Sequence, residues 1–329
     1  MAIFSCEHEV TNNLSNTDET IGKSGSDRWA VILAGGDGTR LQSLTRMISG
    51  DDRPKQFCPI IGGRTLLDQT RRRVGLSIVP EQTLTVLTRT HERFYASLLK
   101  NEPSTRLLVQ PENKGTAPAI LFSLLRLAQL SPNAIVAFFP SDHYFADDEQ
   151  FMSHIESAFS AARTHPETVT LLGIKPESPE VEYGWIEPDG SLFGQLPRSI
   201  SRVRKFWEKP SGLVARGLME RGCLWNSFVM VGRVDAFLKM TQGALPALFD
   251  FFSAIAPTFG TPAEARGMSE LYSWIPSSNF SHEVLALRPD DLAVMQVSEV
   301  GWNDLGEPKR VFSTLQQMGL QTQWAMPAA

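Results

Sequence analysis

The chain has 329 residues, 42% hydrophobic and 20% charged, enough to bury a sizeable core and ordinary for a folded globular protein. A formal net charge of −5 argues against a general nucleic-acid or anionic-membrane surface. Cys6, Cys58 and Cys223 are scattered, with no C-x-x-C and no His/Cys cluster, which argues against a disulfide framework and structural zinc.

The first 27 residues are rich in Ser, Thr, Asn and Glu and lack an apolar signal core, so a mobile tail and a cytoplasmic location are expected. No apolar run approaches the roughly eighteen residues of a membrane span. Residues 29–34 read as a buried strand. The turn after it, Gly35-Gly36-Asp37-Gly38-Thr39-Arg40, is followed by Lys55 in Arg53-Pro54-Lys55-Gln56-Phe57. Glycines let backbone N–H groups approach an anion, Arg40 offers a planar fork to phosphate oxygens, and Lys55 adds a compact point charge. Between positions 40 and 55 the cations Arg40, Arg46, Arg53 and Lys55 face only Asp51 and Asp52, a local balance that suits a small polyanion. Two better-known phosphate loops fail on spacing. A dinucleotide fingerprint would need glycine where Leu41 stands, and Gly22-Lys23-Ser24 has neither the leading glycine nor the preceding strand of a Walker A loop.

Further along, residues 66–74 suit a helix with Thr65 and Asp68 spaced as a capping box. Arg71-Arg72-Arg73 reads as its solvated face. A strand at 83–88, a helix at 91–100 and a short strand at 106–109 follow. The helix at 117–129 takes Thr116 as its cap and Pro118 in its first turn. Residues 134–139 read as a central strand buried on both faces, before a helix at 149–163 and a strand at 168–173. This rhythm predicts an α/β fold: an open, mostly parallel sheet flanked by helices, with ligands at the carboxyl ends of the strands. Beyond residue 180 the pattern changes to strands at 184–187, 200–207 and 226–232 and helices at 211–221, 233–242, 246–255 and 263–274. The expected organisation is a tail at 1–27, one domain at 28–315 with halves near 28–175 and 176–315, the second a mixed α+β subdomain, and an extension at 316–329.

Candidate chemistry gathers at strand ends. Asp142 lies just past the central strand, and Asp304 sits in the acidic turn Gly301-Trp302-Asn303-Asp304-Leu305-Gly306 after the strand-like run Leu292 to Val297. Each alone fits a turn aspartate; together they suit one Mg²⁺, which takes one or two carboxylates with waters and substrate phosphates. His143 reads as structural. Glu208, Lys209, Asn226 and Tyr183-Gly184-Trp185 supply acid, cation, amide and aromatic groups suited to a phosphorylated sugar, though each alone fits a solvated turn or core position.

These segments, with Gly115-Thr116-Ala117-Pro118-Ala119-Ile120, Pro140-Ser141-Asp142-His143, Glu208-Lys209-Pro210 and Leu224-Trp225-Asn226-Ser227, occur in a fixed order across roughly residues 29–310. In that order the chain resembles the nucleotidyltransferase family that makes nucleoside-diphosphate sugars, most of all its mannose-1-phosphate guanylyltransferase (GDP-mannose pyrophosphorylase) branch. The resemblance implies a Rossmann-like core with a sugar-binding subdomain. It implies that Leu33, Gly35, Gly36, Gly38, Thr39, Gln110, Gly115 and Thr116 bind the nucleotide. Arg40, Lys55, Asp142 and Lys209 would be catalytic, and Asp142 and Asp304 would hold Mg²⁺. Gly184, Glu208, Lys209 and Asn226 would hold the sugar phosphate.

The implied reaction joins an NTP, GTP first, to a sugar-1-phosphate, mannose-1-phosphate first. No nucleic-acid or membrane partner is expected, and a homo-oligomer is compatible with the sequence. About 25 residues follow Asp304, so the expectation is a monofunctional protein. Three features depart from the family pattern: the longer stretch 47–53, Lys114-Gly115 in place of Arg-Asn, and Phe228-Val229 where glycine is common. The alternatives are thymidylyl or uridylyl transfer to glucose-1-phosphate, a metal-dependent glycosyltransferase using Asp142, and a non-catalytic regulatory paralogue that binds nucleotide-sugar.

Overall fold

The computed structural model describes residues 27–192, 200–320 and Trp324, so apart from Asp27 the expected tail lies outside the described residues. Asp27 itself belongs to the fold: its carbonyl accepts the Ile135 amide at 2.8 Å and its carboxylate pairs with Arg163 at 2.8 Å.

The strands are β1 (Arg28–Leu33), β2 (Thr83–Thr88), β3 (Leu107–Gln110), β4 (Ile135–Pro140), β5 (Val169–Ile174), β6 (Gly184–Leu192), β7 (Ile200–Glu208), β8 (Leu224–Arg233) and β9 (Leu292–Val297). They form one sheet in the order β3-β2-β1-β4-β8-β5-β9-β7-β6. The helices are α1 (Gln42–Ser49), α2 (Leu66–Val74), α3 (Glu92–Tyr95), α4 (Thr116–Leu130), α5 (Asp148–Thr164), α6 (Gly212–Glu220), α7 (Val234–Ala244), α8 (Pro246–Ile255), α9 (Glu264–Trp274) and α10 (Pro308–Gln317).

Alternation along the central strands builds two cores. Val31, Val136 and Phe138 face α4, α7, α8 and α9, whereas Ala30, Ile32, Ala137 and Phe139 face α2 and α5. That is why β4 reads as an unbroken apolar run. The α/β class stands, with a refinement. Strands β3, β2, β1 and β4 are parallel, as are β5 and β9, but β8 runs antiparallel to both β4 and β5, and β7 antiparallel to β6 and β9.

Strand β8 changes partners along its length. Residues 230–233 pair with β4, while Leu224 and Trp225 pair with β6. Between them Asn226 Oδ1 accepts the Phe228 amide at 3.0 Å, and Phe228 takes a φ of 58°. The position where the family pattern favours glycine is therefore a left-handed kink here, occupied by a residue with a Cβ.

Three local expectations are corrected. The helix expected at 91–100 shortens to α3, with isolated helical bonds continuing to the Leu99 amide. Arg73 is buried rather than solvated: it pairs with Asp148 and lies 4.6 Å from the Phe145 ring centre. Thr116 does not cap α4, because its hydroxyl accepts the Phe280 amide at 2.8 Å and Gly115 stands at the cap.

That contact belongs to a clamp in which the Ser278 amide donates to the Lys114 carbonyl at 2.8 Å and the Ala117 amide to the Ser278 carbonyl at 3.1 Å. Gly115, with φ 89°, fits beneath it, and an added Cβ would sit 2.3 Å from the Ser278 carbonyl oxygen. Gly115→Ala is expected to cost about 1–3 kcal/mol, read as a lower urea midpoint, and to weaken nucleotide binding by spreading the clamp.

Candidate functional site

The carboxyl ends of β1 and β4 open onto a cavity of about 350 Å³. Leu33, Gly35, Gly36 and Gly38 line it from the first turn, Gln110, Gly115 and Thr116 from the loop between β3 and α4, and Asp142 and Phe228 from the floor. Every residue expected to meet the nucleotide is in that lining except Thr39, which is exposed beside it. A larger cavity of about 850 Å³ is lined by Tyr183, Trp225, Trp302 and Arg310; it shares Tyr183 with the sequence expectations but includes none of the residues assigned to nucleotide, metal or sugar phosphate, so size alone does not mark the site.

The glycine turn is held by side chains. Gln56 Nε2 donates to the Ala34 carbonyl at 3.1 Å and the Gly36 carbonyl at 2.7 Å, and Thr88 Oγ1 donates to the Gly35 carbonyl at 2.9 Å. With three successive carbonyls engaged, an anion arriving at the turn meets less negative oxygen. Gly38 is required by its φ of 61°. At the far end of the cavity the Tyr272 hydroxyl donates to Gln110 Oε1 at 2.7 Å. That leaves the Gln110 amide nitrogen, which lies beside Gly35, as a donor for a ligand. Across the mouth, Asp37 is held by His91 Nε2 at 3.0 Å and by Asn113 Nδ2 at 2.8 Å.

Lys55 is the junction of the site. Only 7% exposed, its ammonium lies 3.2 Å from Asp142 Oδ2 and donates to the Asp304 carbonyl at 2.5 Å and the Leu305 carbonyl at 3.2 Å. Burial would raise the Asp142 carboxyl, but Lys55 and His143 outweigh it and hold the group below its ordinary value as an anion. The Asp142 side chain remains 30% exposed and faces the cavity.

Asp304 is brought to the same place differently from expectation. Its main chain faces Lys55, while Oδ1 accepts the Tyr183 hydroxyl at 2.9 Å and the Gly306 amide at 2.9 Å, with Arg310 Nε 3.4 Å away. The two carboxylates thus stand differently: Asp142 lines the cavity with its side chain 30% exposed, whereas Asp304 lies outside that lining at 13%, with Oδ1 engaged. Among the described residues no three His, Cys, Asp or Glu side chains gather as a metal cluster. One open carboxylate is still a fitting protein contribution to Mg²⁺, which relies on waters and phosphates for its other ligands.

On the sugar side, Gly184 and Glu208 are direct partners across β6 and β7. A Cβ on Gly184 would lie 2.8 Å from the Phe206 ring and 3.1 Å from Glu208 Oε2, so the glycine makes room for both side chains. Burial pushes the Glu208 carboxyl up, opposed in part by Lys209 and His282. Arg40 Nη1 and Lys209 Nζ each lie 3.4 Å from Glu182 Oε2. Asn226 is 8% exposed and its oxygen shapes the β8 kink, a structural use beside any ligand contact.

Sequence reading passed over Thr88, Tyr272 and Glu182, and used Gln56 only as part of a specificity motif, without a contact of its own. Gln56 adjoins Lys55 in the sequence, which was a usable signal, but the others act through contacts between remote segments. Gln56→Ala should lower stability by about 1–3 kcal/mol by releasing two loop carbonyls, and should weaken nucleotide affinity in a calorimetric titration.

Burial holds the His91 imidazole below its ordinary value of 6.5, although Asp37 pulls the other way. As pH falls below that value the unfolded chain takes the proton first, so stability declines on acidification through this range. His91→Gln should flatten that decline, compared by urea unfolding at about pH 5.5 and about pH 7.5.

A family model described as nucleotidyl transferase matches residues 29–319. The alginate biosynthesis protein AlgA of Pseudomonas aeruginosa is 32% identical over 84% of this chain and 56% of its own length. A mannose-1-phosphate guanylyltransferase of Escherichia coli is 27% identical over 88% of this chain and 61% of its own length. The chain therefore spans about three-fifths of the length of the curated relatives it matches. A solved structure from Thermus thermophilus, described as a mannose-1-phosphate geranyltransferase, superposes with a TM-score of 0.74 at 28% identity, covering 88% of this chain and 80% of that one. The family model covers most of the chain and a relative matches at 32% identity: the chain belongs to the nucleotidyl transferase family.

Proposed function

We propose that this chain transfers a nucleotidyl group from a nucleoside triphosphate to a sugar-1-phosphate, with GTP and mannose-1-phosphate the favoured pair. The observation that carries the reading is the buried Lys55 ammonium, paired with Asp142 at the edge of a cavity lined by the glycine turn. A sugar-phosphate oxygen attacks the α-phosphorus, the bond from that phosphorus to the bridging oxygen breaks, and pyrophosphate leaves. The nucleophile is already an anion, so no strong general base is needed.

The obstacle is the mutual repulsion of two polyanions. Backbone amides of the glycine turn and the Arg40 guanidinium hold the triphosphate, Lys209 meets the sugar phosphate, and Lys55 supplies positive charge near the reacting phosphorus. Gln110 offers its amide N–H to the base, a suitable donor for a carbonyl oxygen. Glu208 accepts hydrogen bonds from sugar hydroxyls. Mg²⁺ would be held by Asp142 together with phosphate oxygens, and would neutralise charge on them. The Asp304 main chain orients Lys55, while its Oδ1 is held by Tyr183 and Gly306, so any bond to the ion would come from its other oxygen.

The guanine and mannose assignment rests on the named relatives and on Gln56-Phe57, Thr116-Ala117-Pro118 and Trp225-Asn226. Pyrophosphate release measured across four NTPs and mannose-, glucose- and fructose-derived phosphates, with and without Mg²⁺, is expected to peak with GTP, mannose-1-phosphate and the metal. A maximum with dTTP or UTP and glucose-1-phosphate would reassign the specificity, and no release with any pair would remove the reaction. Lys55→Ala should lower kcat by about 10²–10³-fold while changing sugar-phosphate affinity far less. Equal kcat in variant and wild type would take Lys55 out of the chemistry.

A further inference from the structure

Two cations expected to serve different substrates converge on a single carboxylate oxygen. Glu182 Oε2 lies 3.4 Å from Arg40 Nη1, at the end of the glycine turn, and 3.4 Å from Lys209 Nζ, just past β7. The carboxylate is presented by an anchored loop. Glu180 Oε1 accepts the Val181 amide at 2.9 Å and the Glu182 amide at 3.0 Å, the Glu180 carbonyl accepts Trp185 Nε1 at 2.8 Å, and Arg310 Nη1 lies 3.4 Å from Glu180 Oε2. Lys209 adopts a φ of 45°, uncommon for a residue with a Cβ, so the backbone bears strain where it delivers this ammonium. The Arg40, Glu182 and Lys209 side chains are 53%, 40% and 51% exposed, within reach of an incoming ligand.

We propose that Glu182 is an internal competitor for substrate phosphate. Its carboxylate occupies the Arg40–Lys209 pair between turnovers, gives way when the two polyanions bind, and takes Arg40 back as pyrophosphate departs and Lys209 when the nucleotide-sugar follows. This rests on the roles given to Arg40 and Lys209 under the proposed function. Exposed ion pairs are individually weak, so a phosphate with a higher charge displaces one carboxylate readily. The carboxylate nevertheless lowers the affinity of the mouth for every anion, product included. Without it, pyrophosphate would leave more slowly from a cluster built to hold phosphates. Glu182 is thus a positioning residue that sets how tightly the site grips phosphate.

The test is calorimetric titration of the full chain with inorganic pyrophosphate in metal-free buffer. Glu182→Gln should bind pyrophosphate about 3- to 10-fold tighter than wild type, and Glu182→Ala should shift in the same direction. Glu177→Gln removes one exposed acidic charge elsewhere and should leave affinity unchanged. In an Arg40→Gln background the gain from Glu182→Gln should shrink, because one of the two freed cations is missing. In turnover assays, Glu182→Gln should show a lower KM for both substrates and stronger inhibition by pyrophosphate. Unchanged or weaker pyrophosphate binding in Glu182→Gln overturns the proposal, as does an equal gain in Glu177→Gln. The titration needs no turnover, so a wild-type chain that makes no nucleotide-sugar would remove the proposed reaction and leave the competition test standing.

Discussion

The buried ammonium of Lys55 is the interaction on which the site depends. Removing such a charge from water costs several kcal/mol unless it is fully paired. Here three donors meet three acceptors: the Asp142 carboxylate and the carbonyls of Asp304 and Leu305. Those groups come from the turn after α1, the exit of β4 and the loop before α10, segments that periodic packing alone would not bring together. Short-range turns complete the arrangement, with Asn303 Oδ1 accepting the Leu305 amide and Asp304 Oδ1 the Gly306 amide, each in the same tight loop. The loop is folded so that main-chain oxygens, rather than a second carboxylate, face the ammonium.

That division has a chemical consequence. If both carboxylates pointed at one position, bound phosphates would meet two negative groups before any metal arrived. Holding Asp304 against Tyr183 and Arg310 leaves one acid, Asp142, facing the cavity, and that acid is kept ionised by its own cationic neighbour. The Tyr183 phenol stays protonated, because burial and then the nearby Asp304 push its ionisation upward, and so it remains a donor to that carboxylate. Positive and negative charge are therefore sorted before substrate binds, which is the form of preorganisation that phosphoryl chemistry uses most.

Much of the fold was legible because it is written in local periodicity. The buried strand at 135–140, the α4 helix and the Thr65–Asp68 cap each follow from residues that are neighbours in sequence. The glycine turn and Asp142 were legible from their places just past strands, whereas Gln110 and the Gly115 turn came from the family resemblance; the cavity collects all of them. The rest was not legible because it depends on remote partners. Nothing in Arg71-Arg72-Arg73 distinguishes the buried Arg73 until Asp148 and Phe145 are placed beside it. Thr116 looked like a cap because the Phe280 amide that takes its hydroxyl lies far along the chain. Glu182 has no motif around it, and its relation to Arg40 and Lys209 exists only in the folded protein.

Backbone strain points to the same region without reference to any motif. Among the described residues, four that are not glycine adopt positive φ: Lys209 at 45°, Leu305 at 48°, Phe228 at 58° and Glu299 at 60°. Such conformations cost of order 1–3 kcal/mol each and persist only where the surroundings enforce them. Lys209 delivers a cation to Glu182, Leu305 turns its carbonyl onto Lys55, and Phe228 lines the cavity at the kink where β8 changes partner from β4 to β6. Glycine at any of these positions would relax the backbone, yet Lys209 and Phe228 also provide side chains at the site. Stability is thus given up where Leu305 and Phe228 shape the surroundings of the buried ammonium and its cavity, and again where Lys209 meets the carboxylate that also faces Arg40.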